Sequence, residues 1–151
     1  MDPLIKDRVQ KAFTNNRGTV FEMLAAAKRE PNEPEAVIYA AYQELLAMML
    51  AGADEQVRYC YVEAACRFVD KEEPGQGERL EQRFLEYSSA FGLDVADGQA
   101  HLAPKMIGLA LDNIVGASDE SVVSARMALV MVHKSCLEVK VPFFKDLKIV
   151  I

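Results

Sequence analysis

The chain has 151 residues, a formal net charge of −6 and an apolar fraction of 51%. That length suits one domain with a core of its own, and the composition excludes a disordered or collagen-like chain. The acidic balance disfavours non-specific nucleic-acid binding. No uninterrupted apolar stretch reaches the roughly 18 residues that a membrane span needs, so no membrane association is predicted.

The N-terminal residues and the cysteines predict a cytoplasmic protein. Charged side chains begin at Asp2 and no apolar run follows them, so no secretory signal peptide is predicted. The three cysteines, Cys60, Cys66 and Cys136, form no C-x-x-C pair, which argues against a zinc knuckle or a thioredoxin-type redox site. We interpret them as small buried thiols in a reducing compartment.

Helix start and stop signals organise the first part of the chain. Pro3 suits the first position of a helix that should end at residues 15–18. Thr19 and Glu22 form a capping box, which predicts that a second helix begins there. A third helix is predicted to begin after Asn32, a good N-cap residue.

The same signals continue up to the last cysteine. Asp54 is predicted to cap a fourth helix, and the polar loop 72–77 separates it from a fifth helix that should end at Gly92. Pro104 favours the start of a sixth helix, and Ser118 is predicted to cap a seventh.

The C-terminal residues change the pattern. Much of the stretch 137–151 alternates apolar and polar residues with a period of two, which is typical of extended chain. We therefore divide a single domain, residues 1–151, into a helical body, 1–136, and an extended tail, 137–151. The predicted fold class is all-α: an array of six or seven antiparallel or orthogonal helices with a short extended C-terminal segment.

Two stretches are apolar on nearly every side. Residues 36–51 include Gln43 and Glu44 as their polar residues, and residues 127–132 include none. Such helices are either central in a molecule or covered by a partner, so a monomer core and a homodimer with a shared apolar face both stay open. The flexible side chains of Met48 and Met49 also suit an adaptable binding surface.

Residues that carry chemistry are few. The phosphate-binding, nucleophile-elbow and dinucleotide-binding motifs are absent. Neither His101 nor His133 has an acid three residues before it, as a di-iron helical bundle requires, so we predict no metal and no cofactor. Glu44 and Glu63 are the exception, because antiparallel third and fourth helices would place them level with each other. Two facing carboxylates would raise one pKa, as general acid–base chemistry requires.

These observations favour a non-enzymatic protein–protein interaction module: an adaptor, a chaperone-like protein or a regulatory or inhibitory subunit. It would dock through an apolar helical face and its C-terminal tail. Residues 30–100 carry fifteen acidic and five basic side chains, which favours a basic partner protein. The predicted partner-binding residues are Met48, Met49, Phe143, Phe144, Ile149 and Ile151.

Two alternative functions stay open. One is a helical ligand-binding domain or an enzyme with an internal pocket around Glu44 and Glu63. The other is a dimeric transcriptional regulator, which would need a basic recognition helix. The second helix ends in Lys28 and Arg29, but its middle lacks side chains that read bases, so nucleic acid is disfavoured as a partner.

Overall fold

Every regular element in the described part of the chain is a helix. The computed structural model describes residues 3–26, 32–116 and 121–146. In chain order the elements are α1 (Pro3–Lys11), a first π turn (Ala12–Asn16), α2 (Arg17–Ala26), α3 (Glu33–Leu50), α4 (Glu55–Glu72), α5 (Gln76–Ala96), α6 (Pro104–Ile114), α7 (Ser121–Ser135), a second π turn (Cys136–Lys140) and α8 (Val141–Asp146). Each π turn joins its neighbours without a break, so these residues form six continuous helical segments. The predicted all-α, single-domain fold is confirmed.

Helix α3 occupies the centre of the molecule. The side chain of Asn32 accepts a hydrogen bond from the Glu35 backbone N–H at 3.3 Å and caps its N-terminus. Thirteen of its eighteen residues are buried, and it contacts α2, α4, α5, α6, α8 and both π turns. The apolar stretch 36–51 is thus surrounded by helices of its own chain.

The apolar residues 127–132 belong to a peripheral helix. In α7, Leu129 is fully buried, whereas Met127 and Met131 are 63% and 60% exposed. The helix is therefore amphipathic in its packing, although its sequence is apolar all round. Ser118, the predicted cap of this helix, lies outside the described residues.

Helices α4 and α5 follow α3 as an antiparallel hairpin. Their apolar stripes, which include Tyr61 and Phe84, face the core. At the junction, the Asp70 carboxylate accepts the Gly77 backbone N–H at 2.8 Å. A Cβ atom on Gly77 would lie 2.9 Å from the Cys66 carbonyl oxygen and would clash with the Asp70 carboxylate, so the position requires glycine. Helix α5 was predicted to end at Gly92, but it continues to Ala96.

The predicted break between the first two helices is wrong. Residues 12–16 form a π turn that leads directly into α2 at Arg17. The apolar side chains on both sides of this turn, including Val9 and Val20, are buried. A π turn is wider than an α turn. It allows the helix to continue through residues 12–16 while the buried side chains of α1 and α2 stay on the core side.

The predicted extended tail is also wrong over its described part. Residues 137–140 belong to the second π turn, and α8 follows directly. Val141 and Phe144 are three residues apart and both buried, so helical spacing brings both onto the core where a strand would not. Residues 147–151 lie outside the described residues.

Candidate functional site

A groove on the surface of α3, α4 and α5 is the larger of the two cavities described here, with a volume of about 560 Å³. We call it the α4–α5 groove. Helix α3 supplies part of its floor, and α4 and α5 form its walls. It is lined by Leu45, Met49, Glu55, Arg58, Tyr59, Val62, Glu63, Cys66, Glu81, Leu85 and Ser88.

The groove exposes two large apolar side chains to solvent. Tyr59 on α4 is 64% exposed and Leu85 on α5 is 68% exposed. The half-buried side chains of Met49 and Val62 line the same groove. The Ser88 hydroxyl is hydrogen-bonded to the Tyr42 hydroxyl of α3 at 3.0 Å, which ties the wall of the groove to the central helix. A rigid apolar surface with an accessible rim is typical of protein-binding sites.

The charges of the groove are mainly acidic. Glu55, Glu63 and Glu81 line it, and Arg58 is the one basic residue among the described lining residues. Glu63 also pairs with Arg67, four residues further along α4, and both side chains are substantially exposed. Such an exposed pair contributes little to stability, so the Glu63 carboxylate stays accessible to another cation.

The acidic residues around the groove affect the pKa of the Cys66 thiol. Its Sγ atom donates a hydrogen bond to the Gly77 carbonyl oxygen at 3.4 Å. Burial, together with the negative charges of Glu81, Asp70 and Glu63, raises the pKa of Cys66 to about 11. The thiol is therefore protonated at neutral pH and is a poor nucleophile.

Glu44 lies in a different environment. It is 1% exposed, and its carboxylate pairs with the guanidinium of Arg8 on α1 and with Nζ of Lys140 at 2.6 Å. The Arg8 guanidinium carbon also lies over the rings of Phe143 and Phe144, 5.1 and 5.0 Å from their centroids. Burial acts to raise the pKa of Glu44, but Lys140 and Arg8 outweigh it and lower the pKa. This cluster links both ends of the described chain to α3.

The structure does not bring Glu44 and Glu63 together in either described cavity. Glu63 lines the α4–α5 groove, whereas Glu44 lines neither cavity and lies against α1 and the second π turn. Neither of these two cavities therefore corresponds to the predicted pocket around both acids.

The predicted partner-binding residues are placed differently from one another. Met49 lines the α4–α5 groove, and Phe143 is 45% exposed on α8. Met48 is fully buried and Phe144 is 6% exposed, so both belong to the core, and their assignment to a binding surface is corrected. The other predicted residues, including the basic pair of the second helix, lie outside the described residues: Lys28, Arg29, Ile149 and Ile151.

The sequence analysis missed the two exposed large apolar residues of the groove. Tyr59 and Leu85 carried a signal, because each is a large apolar residue off the buried stripe of its own helix. On α4 the stripe runs through Val57 and Tyr61, and on α5 it runs through Phe84. A large apolar residue on the solvent side of an amphipathic helix is a candidate contact residue.

A second cavity, of about 360 Å³, lies where the N-terminal end of α3 meets the C-terminal end of α4. We call it the end pocket. It is lined by Phe13, Thr14, Glu33, Pro34, Val37, Ile38, Phe68, Val69, Glu72, Glu73 and Gln76.

The described residues contain no group of metal ligands and no membrane-spanning helix. Among the described residues, no three or more histidine, cysteine, aspartate or glutamate side chains are grouped to hold a metal ion. No helix in this part of the chain combines the length and the apolar character needed to cross a bilayer. No protein-family model matches the sequence, and neither the curated proteins nor the solved structures include a match.

Proposed function

We propose that the chain is a non-enzymatic protein-binding module of the cytoplasm, and that the α4–α5 groove docks a basic amphipathic helix of a partner protein. The observation that carries the proposal is the pair Tyr59 and Leu85. Two large apolar side chains, both more than half exposed, line the same groove from opposite helices. Tyrosine is among the residues most enriched at the energetic centre of protein interfaces.

The dimensions of the groove support a helical partner. Its lining residues on α4 extend from Glu55 to Cys66, which at the rise of an α-helix is about 16 Å, or three turns. An amphipathic helix of that length can present apolar residues at positions i, i+3, i+4 and i+7 to one groove. The half-buried Met49 side chain can adapt to the shape of those residues because its thioether chain is flexible.

The charge of the groove supports a basic partner. Three carboxylates and one guanidinium line it, and residues 30–100 carry fifteen acidic and five basic side chains. Lysine and arginine at the edge of an apolar helical face would meet Glu55, Glu63 and Glu81 across the rim. Rim charges of this kind speed association and select among partners more than they add affinity.

The thiols support the cytoplasmic location. Cys60, Cys66 and Cys136 are all free in the structure. Unpaired cysteines suit a reducing compartment, where disulfides are rare.

Two synthetic peptides test the proposal. Both are amphipathic helices of about 11 residues, or three turns, with the same leucine face. One carries lysine and the other glutamate at the remaining positions. Titration by fluorescence anisotropy should give saturable binding of the lysine peptide and no saturable binding of the glutamate peptide. Equal binding of both peptides, or of neither, would contradict the proposed partner chemistry.

Matched variants locate the binding surface. Leu85→Ser should weaken lysine-peptide binding by about tenfold, whereas Leu93→Ser should leave it unchanged. Leu93 is on the same helix, is 56% exposed and does not line the groove. Glu81→Lys should weaken binding more than Asp112→Lys, which makes the same change in net charge at an exposed position of α6. Equal effects within either pair would place the peptide elsewhere.

A further inference from the structure

We infer that the end pocket is a second binding site, independent of the α4–α5 groove, and that it takes a primary alkylammonium: a small organic cation with an N–H₃⁺ head and a short apolar body. The inference rests on the composition of the pocket wall. Its floor is apolar, its rim is acidic, and a buried hydrogen-bond acceptor in its lining lacks a donor.

The floor of the end pocket is a packed apolar surface. The Phe13 ring of the first π turn stacks on the Phe68 ring of α4, with centroids 4.6 Å apart and an interplanar angle of 17°. Val37, Ile38 and Val69 complete the apolar part of the lining. A surface formed by three helical segments and fixed by a stacked ring pair is suited to an alkyl chain, because such a chain loses water contact on several sides at once.

The polar part of the lining favours a cation. Glu72 and Glu73 lie at the C-terminal end of α4, where the free carbonyl groups of a helix carry partial negative charge and where cations are normally favoured. The described residues give neither carboxylate an ion-pair partner. Glu33 adds a third carboxyl group at the opposite side of the pocket, and none of the described lining residues is basic. An anion would meet repulsion here.

The Gln76 side chain favours a cation that carries N–H groups. The Gln76 Oε1 atom is inaccessible to solvent and has no hydrogen-bond partner. A buried acceptor without a donor is unfavourable, so a ligand whose N–H group takes the place of the missing donor is favoured. A primary ammonium brings three N–H donors and a positive charge, whereas a quaternary ammonium brings no donor. The volume of about 360 Å³ is at the small end of ligand pockets.

Three probes of equal chain length test the inference on the full chain: n-hexylammonium, hexyltrimethylammonium and hexanoate. Methyl chemical shifts of Val37, Ile38 and Val69 report occupancy of the pocket. Hexylammonium should shift these methyl signals saturably, with a Kd in the range of about 1 mM or below. Hexyltrimethylammonium should bind more weakly, and hexanoate should give no saturable shift.

Two double variants separate the pocket from the general acidity of the chain. Glu72→Gln with Glu73→Gln should weaken hexylammonium binding by about fivefold, since two exposed charge contacts together contribute about 1 kcal/mol. Glu55→Gln with Glu63→Gln removes the same charge from the α4–α5 groove and should leave hexylammonium binding at the end pocket unchanged. Equal weakening by both double variants, equal binding of hexanoate, or the absence of saturable shifts at the three methyl groups would overturn the inference.

Discussion

Glu44 and Glu63 lie on neighbouring helices, yet one belongs to the core and the other to the candidate binding surface. Glu44 is 1% exposed, and its cations come from α1 and from the second π turn, both far away in sequence. The Glu63 side chain is 43% exposed, and its cation lies one turn away on the same helix. Carboxylates whose partners come from distant elements hold a fold together, whereas carboxylates with local, solvated partners stay available to a ligand.

The largest expected effect on stability comes from replacing the buried acid, Glu44. Glu44→Gln keeps the shape of the side chain but leaves Arg8 and Lys140 without their shared carboxylate. Removing one member of a buried ion pair typically lowers the free energy of unfolding by about 3 kcal/mol. Urea denaturation followed by circular dichroism should measure a loss of this size, and Glu63→Gln is the matched control. Equal losses for the two variants would mean that the two sites do not differ in kind.

Gly77→Ala should produce the second-largest loss of stability. Gly77 lies at the junction of α4 and α5, beside the groove. The added Cβ atom would lie 2.9 Å from the Cys66 carbonyl oxygen and would push the Asp70 carboxylate away from the backbone N–H that it accepts. Overpacking of this kind costs about 1–3 kcal/mol. Thermal unfolding should reveal the loss, and Gly108→Ala on α6 is the control, because nothing lies within 4 Å of its added Cβ. An unchanged Tm for Gly77→Ala would show that the junction can open.

The stability of the fold should depend on pH through two buried groups, His133 and Glu44. Burial, with a smaller contribution from His101, lowers the pKa of His133 below its ordinary value of 6.5, against the opposing effects of the Ala100 carbonyl and Asp94. The unfolded chain therefore takes up a proton at higher pH than the folded chain, so stability should decline as the pH falls below about 6.5. Glu44, whose pKa is lowered from 4.5, should add a second decline below that value.

His133→Gln separates these two declines. The variant should lose the first decline and keep the second, because the glutamine does not titrate and Glu44 is unchanged. Urea midpoints measured between pH 8 and pH 3 provide the test. A wild-type curve that is flat between pH 7 and pH 5 would contradict the lowered pKa of His133.

Local signals account for the part of the fold that the sequence predicted correctly. Asn32 and Asp54 cap α3 and α4 through their own side chains, and a cap of this kind is visible within a few residues. The cap of α6 is different, because the buried Asp94 carboxylate accepts the backbone N–H groups of Lys105 and Met106 at 2.9 and 3.0 Å. That contact depends on how α5 meets α6, which no short window of sequence contains.

The C-terminal helix was missed for a related reason. The alternating pattern around Val139 resembled extended chain, but helical packing of Val141 and Phe144 against the body overrides that local preference. The Lys140–Glu44 ion pair spans 96 residues in sequence, and the Cys136 thiol donates to the Gln43 carbonyl oxygen at 3.3 Å. Long-range contacts of this kind decide the conformation of a segment whose own pattern is ambiguous.

The candidate site was predictable in its charge and only partly in its residues. Met49 and Glu63, both singled out in the sequence, line the α4–α5 groove. Glu63 lines the groove and Glu44 does not. The register of two antiparallel helices predicts height along the axis and leaves the rotation about the axis undetermined. Tyr59 and Leu85 become significant once the structure places them on facing walls of one groove.

The smallest expected effect on stability is on the exposed side of the comparison. Leu85→Ser removes a side chain that is 68% exposed, so the free energy of unfolding should change by about 0.5 kcal/mol or less, and Leu93→Ser should match it. Urea denaturation of both variants measures this directly. A loss above about 1.5 kcal/mol for Leu85→Ser alone would mean that Leu85 is buried in solution, since that is the cost of exposing a buried leucine. The groove would then be closed, whereas equal and small losses leave it open, as the docking of a partner helix requires.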